Sequence, residues 1–221
     1  MTENATTSHR HGVEPTAFVF DAESEAQISA ILKKYPEGRQ ASAVLPLLDL
    51  AQRQMKRETD SAWVPRAAMD AIAARLGMPP IRVYEVATFY FMFNTNPVGK
   101  WHLQVCTTTP CWLRGSEAVV ETCKRVTGIR HFGETSADGL FTMTEVECLG
   151  ACVNAPILQV NDDFYEDMDA TTTERLLDAL RRNAPPPPGS MIGRQTSAPE
   201  GGPMTLTTLD FAAGPMPPGG E

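Results

Sequence analysis

Two close cysteine pairs constrain this chain more than any other feature. Cys106 and Cys111 form a C-x4-C pair, and Cys148 and Cys152 form a C-x3-C pair. Each pair follows a stretch of alternating residues: Trp101 to Val105 before the first, Leu140 to Glu147 before the second. That alternation is the mark of a half-buried strand. On the second strand Leu140, Thr142, Thr144 and Val146 share one face. Each pair therefore falls on the turn after a strand. A sheet fixes its strand ends while turns fold back, so two loops at one edge of a sheet can bring four thiols together.

Disulfides are a poor account of these residues. The five cysteines are an odd number, and the cytosol keeps thiols reduced. Met1 to Pro15 reads as polar, without the apolar core of a secretory signal, and carries Glu3 and Glu14 rather than an Arg-rich transit pattern. Metal or redox chemistry is the leading alternative. A [2Fe–2S] cluster takes two thiolates on each of its two irons, and one loop per iron is the natural assignment. A structural zinc site with four cysteine ligands accepts the same spacing, so spacing leaves both open. Neither the C-x-x-C of a thioredoxin-type dithiol nor the C-x4-C-x2-C run of plant-type ferredoxins occurs. Cys111 stands near the start of a helix read from Ser116 to Thr127, where free N–H groups favour a thiolate. Gly150 lets the second loop turn tightly and bring N–H groups towards sulfur.

The remaining polar residues read as background. Cys123 is an ordinary packing or surface residue; His9, His11, His102 and His131 are non-ligands; Arg114 lies on the surface; Glu145 and Glu147 share a solvated strand face. No catalytic nucleophile and base are paired. Neither G-x-G-x-x-G nor G-x-x-x-x-G-K-[ST] is present. The formal charge of −8 opposes a nucleic-acid partner. No apolar run approaches the roughly 20 residues that cross a bilayer.

The chain divides into a flexible arm over 1–20, a helical bundle over 21–96, an α/β domain over 97–183 and a Pro/Gly-rich tail over 184–221. Four helices are expected in the bundle. The first carries Ile28, Ile31 and Leu32 and stops by Pro36-Glu37-Gly38. The second runs through Leu45, Leu47, Leu48 and Leu50 to about Arg57, with Pro46 in its first turn. The third opens at Pro65 and stops at Gly77; the fourth follows Pro79-Pro80 through Val83, Val86, Ala87 and Tyr90. Further strands are expected at Ile157 to Val160 and Asp163 to Tyr165, turned by Asn161-Asp162, before a closing helix at Thr172 to Arg182. Half of the 18 prolines fall in the tail, which opposes a packed core there. Its apolar island, Met204 to Phe211, is expected to dock on a partner.

The blocks Cys106-Thr107-Thr108-Thr109-Pro110-Cys111-Trp112-Leu113-Arg114-Gly115 and Glu147-Cys148-Leu149-Gly150-Ala151-Cys152-Val153-Asn154-Ala155-Pro156 resemble those of the thioredoxin-like [2Fe–2S] subunits of NADH:quinone oxidoreductases, and Val86-Ala87-Thr88-Phe89-Tyr90 resembles their helical domain. The resemblance spans roughly residues 20 to 183. It implies an α+β chain, a helical bundle followed by a thioredoxin-like [2Fe–2S] domain and an irregular tail. It also implies one cluster on Cys106, Cys111, Cys148 and Cys152, serving as a non-catalytic electron carrier. FMN and NAD(H) would sit on a neighbouring subunit, beside other peripheral-arm subunits. The complex would lie on the cytoplasmic face of a bacterial inner membrane, or the matrix face in a mitochondrion. The alternatives are the equivalent subunit of an NAD-linked formate dehydrogenase or hydrogenase, and a non-redox zinc scaffold.

Overall fold

A computed structural model describes residues 14–199, 201–202 and 204–205. His9, His11, the start of the expected arm and most of the apolar island lie outside the described residues.

The N-terminal half is four α-helices: α1 (Ala22–Leu32), α2 (Val44–Thr59), α3 (Arg66–Leu76) and α4 (Pro80–Phe89). Their ends follow from local chemistry. Asp21 caps α1 by accepting a 2.7 Å hydrogen bond from the Ser24 N–H. Pro46 sits in the first turn of α2, and Pro65 directly precedes α3. Gly77 ends α3 in the left-handed region at φ 63°. Ile28, Leu47, Leu48, Ile72 and Val83 are fully buried in one core. The expected arm ends earlier than its sequence suggests. Phe20 is buried in this core, with Phe18 edge-on at a 5.1 Å centroid separation. Gln54 holds that stretch by accepting from the Asp21 N–H and donating to the Val19 carbonyl.

The second half is a five-stranded sheet with a core of its own. Its elements are β1 (Trp101–Cys106), α5 (Thr109–Leu113), α6 (Ser116–Thr127), β2 (Phe141–Val146), β3 (Leu158–Val160), β4 (Asp163–Glu166), α7 (Ala170–Arg181) and β5 (Gly189–Ser190), and the strand order is β2-β1-β3-β4-β5. β1 and β2 run parallel, joined by α5 and α6, whereas β3 and β4 form an antiparallel hairpin beside β1. Asn161 turns that hairpin at φ 55°. The core joins Leu103, Val105, Phe141, Met143, Leu158 and Val160 to Val119 and Cys123 of α6 and Leu176, Leu177 and Leu180 of α7.

The apolar core takes Phe141 and Met143 from β2, with Leu140 packed against it, whereas Thr142 is buried through polar contacts, accepting from the Gly99 N–H at 2.7 Å. Gly99 is required there, because a Cβ would stand 2.8 Å from the Phe141 backbone carbon. Cys111 lies not at the start of the Ser116 helix but inside the separate α5, with Gly115 between the two. The irregular tail does not begin at residue 184 with chain free of the fold. It returns to pair β5 alongside β4, packs Met191 on the core, and buries an Arg194–Asp167 ion pair with side chains 7% and 3% exposed. The Pro185 to Pro188 run hides this return, since composition reports flexibility but not a single buried anchor.

Candidate metal centre

The site is a consequence of strand direction. Because β1 and β2 are parallel and in register from Trp101↔Phe141 to Cys106↔Val146, their carboxyl ends lie side by side. The loop holding Cys111 leaves one, and the loop holding Cys148 and Cys152 leaves the other. β3, antiparallel to β1, starts from that same end, so the stretch before it closes the third side.

The four cysteines meet there as two pairs. Cys106 and Cys111 are buried, each 1% exposed, in a small apolar cluster with Ala155 and Ile157. They are hydrogen-bonded to each other. Cys148 is exposed and Cys152 partly so, with their sulfurs 3.4 Å apart. The pairs also communicate: Cys152 interacts electrostatically with both Cys106 and Cys111. Among the described residues, no group of three or more His, Cys, Asp or Glu side chains is placed to hold a single metal ion.

The surroundings act differently on the individual sulfurs. Burial pushes the Cys106 thiol up, but hydrogen bonds from the Thr108 hydroxyl, the Leu149 N–H, Cys111 and the Thr108 N–H outweigh it, and its pKa is lowered. Cys111 is pushed up to about 12 by burial and by its hydrogen bond to Cys106, despite the Ile157 N–H that donates to it. Cys152 is raised by its hydrogen bond to Cys148 and by burial. The Leu149 N–H reaches across from the second loop to Cys106, and Gly150, at φ 83°, supplies the adjacent bend.

This donor set fits an iron–sulfur cluster. Thiols in two pairs match a binuclear group with two ligands per iron.

The background residues fall elsewhere. Cys123 is fully buried on α6, where burial pushes its thiol up to about 12, so it is a packing residue. His102 is buried on β1 with Nε2 2.9 Å from the Thr144 hydroxyl. Burial, then the Lys56 charge, lowers it to about 4, so it is neutral at pH 7. Glu145 accepts from the Thr107 hydroxyl. A cleft of about 590 Å³ separates α2 from the sheet, lined by Arg53, Lys56, His102, Gln104 and Glu145 and reaching Cys148.

Three parts of the site carry no readable signal in the sequence. The Thr108 hydroxyl stands 3.2 Å from the Cys106 sulfur; three consecutive threonines give no hint of which one turns inward. The Leu149 and Ile157 N–H groups have no side-chain signature at all. Asn154, just after Cys152, ties the cysteine loop to Glu166 and to the Thr196 carbonyl, a link visible only once the tail is seen to return.

Comparison with known proteins identifies the family. The family model described as thioredoxin-like [2Fe-2S] ferredoxin matches residues 28–181. A subunit of the NADH-quinone oxidoreductase of Rickettsia prowazekii is 52% identical over 73% of this chain and 88% of its own length. NADH dehydrogenase [ubiquinone] flavoprotein 2, mitochondrial, of Dictyostelium discoideum is 48% identical over 91% of this chain and 78% of its own. Among solved structures, an air-oxidized NAD+-reducing [NiFe]-hydrogenase shares the fold at a TM-score of 0.54 and 19% identity, over 65% of this chain and 23% of the hydrogenase chain. Fold, thiol geometry and sequence together make this chain a member of the thioredoxin-like [2Fe-2S] ferredoxin family.

Proposed function

We propose that this chain is the electron-transfer subunit of an NADH:quinone oxidoreductase, holding one [2Fe–2S] cluster on Cys106, Cys111, Cys148 and Cys152. FMN and NADH belong to a neighbouring subunit with which it exchanges single electrons. The observation that carries the reading is the meeting of two thiol pairs at the carboxyl ends of two adjacent parallel strands. The names borne by relatives at about half identity supply the parent complex.

When bound, a [2Fe–2S] cluster supplies one-electron redox chemistry. The chain's own residues do the rest. Cys106 and Cys111 anchor the inner side in an apolar pocket that keeps water from their sulfurs. Leu149 and Ile157 aim backbone N–H groups at those sulfurs, and such hydrogen bonds and burial set a reduction potential. Cys148 and Cys152 face outward, so the outer side is the natural one for exchange with a partner. Around it Trp112, Leu113 and Val153 are 54%, 70% and 65% exposed, apolar area of the kind a partner subunit covers. Among the described residues no helix is long and apolar enough to cross a membrane. The chain would therefore associate with a membrane through the rest of its complex, on the cytoplasmic or matrix face.

Anaerobic purification of the full chain, with iron, labile sulfide and an EPR spectrum after reduction, tests the cluster. About two irons and two sulfides per chain are expected; zinc without labile sulfide overturns the reading. Stable copurification with a flavin-containing, NADH-binding chain tests the parent complex, and the isolated chain is expected not to oxidise NADH.

A further inference from the structure

We infer that Thr108 is a positioning residue that raises the reduction potential of a cluster held here, by donating its hydroxyl hydrogen bond to the Cys106 sulfur. This rests on the cluster reading above.

Thr108 is the residue that caps α5, with extended backbone at φ −67°, ψ 164°. A threonine at such a position ordinarily turns its hydroxyl to accept from an N–H of the first helical turn. Here no side-chain cap bond forms. The hydroxyl lies instead 3.2 Å from Cys106 Sγ. A sulfur without its proton can only accept, so the hydroxyl must donate. The neighbouring Thr107 sends its hydroxyl the other way, to Glu145. The local helix therefore forgoes a cap while the sulfur gains a donor. Cys106 is 1% exposed, so water is poorly placed to replace that donor. Branching at Cβ restricts the Thr108 side chain to few rotamers and holds the hydroxyl in position.

The effect has a fixed sign. Reduction adds one electron and no proton to the site, making it more negative. A donor to a ligand sulfur stabilises the more negative state more strongly, because charge-assisted hydrogen bonds strengthen with the acceptor's charge. Removing the donor shifts the midpoint to more negative values.

An EPR-monitored redox titration of the full chain and its Thr108→Val and Thr108→Ser variants tests this, after iron and labile sulfide have been measured in each. Thr108→Val is expected to keep its iron and sulfide and to titrate at a more negative midpoint, while Thr108→Ser, which keeps the hydroxyl, returns to the wild-type midpoint. Should Thr108→Val load less iron, Thr108→Ala, which is smaller and cannot crowd the sulfur, carries the same comparison. A hydroxyl-free variant with full iron content and an unchanged midpoint overturns the inference, as does a Thr108→Ser midpoint that follows Thr108→Val. Absence of iron and sulfide from the wild-type chain overturns the cluster reading instead, so the two failures are distinct.

Discussion

The two halves of this molecule bury their side chains for different ends. The helical half packs Leu47, Leu48, Ile72 and Val83 into one aliphatic core, and its main buried polar side chain, Gln54, serves to hold the chain that precedes α1. The sheet half has a comparable core between its strands and the helices α6 and α7. It adds a second, small cluster at the strand ends, where buried thiols stand beside Ala155 and Ile157. A core can be repacked as long as volume and patterning are kept. A cluster of sulfurs with N–H groups aimed at them cannot. The contrast is between burial for stability, which is a sum over many contacts, and burial for chemistry, which depends on a few atoms.

That contrast can be broken most forcefully at the thiols. Replacing Cys106, Cys111, Cys148 or Cys152 with Ala is expected to abolish bound iron and the EPR signal, whereas Cys123→Ala, in the structural core, keeps both. Loss of iron from Cys123→Ala would erase the distinction between the sheet's two clusters. Arg194→Ala leaves Asp167 buried without its cation, and breaking a buried pair in this way costs about 3–5 kcal/mol. The loss should fall locally on the returning tail, read as lost hydrogen-exchange protection at the Met191 N–H, which donates to the Glu166 carbonyl.

Smaller effects probe the helical half. Leu47→Ala, at a fully buried site, should lower stability by about 2–5 kcal/mol in thermal or urea unfolding. The EPR spectrum per folded chain should not change; an altered spectrum would show that the two halves are coupled more tightly than their separate cores imply. The smallest effect is at the surface. Asp21, hydrogen-bonded to Arg57 and capping α1, has its pKa lowered from 3.8 to about 2. A carboxylate whose folded pKa is depressed stabilises the fold above its unfolded value and loses that contribution as pH falls through the folded one. The advantage of wild type over Asp21→Asn in urea midpoint should thus be complete above 3.8 and fade as pH falls towards about 2. An advantage that persists below that range would remove the charge from the account.

How much of this is legible from sequence varies by element. The Ser116 to Thr127 helix can be read to the residue because Gly115 and Gly128 bracket it, both in the left-handed region. The helical stop at Gly77 and the turn at Asn161 are equally local. The helix α5 escapes notice because five residues are too few to show a period. The end of the arm at Phe20 and the anchor at Arg194 escape it for a common reason: each is one or two residues whose partners lie far along the chain, at Gln54 and at Asp167.

The sequence by itself determined the four thiols, the strands that deliver them and the family to which their loops belong, since spacing, alternation and glycine or proline punctuation are properties of neighbouring residues. Tertiary structure alone decided that the inner pair is buried and the outer pair exposed, that the Leu149 and Ile157 N–H groups face sulfur, that Thr108 rather than Thr107 turns inward, and that the tail closes on Asn154 and Asp167. Those depend on which strand ends lie side by side and how far apart they stand. Distances between residues remote in the chain are set by the packing of the whole sheet, and no local pattern encodes them.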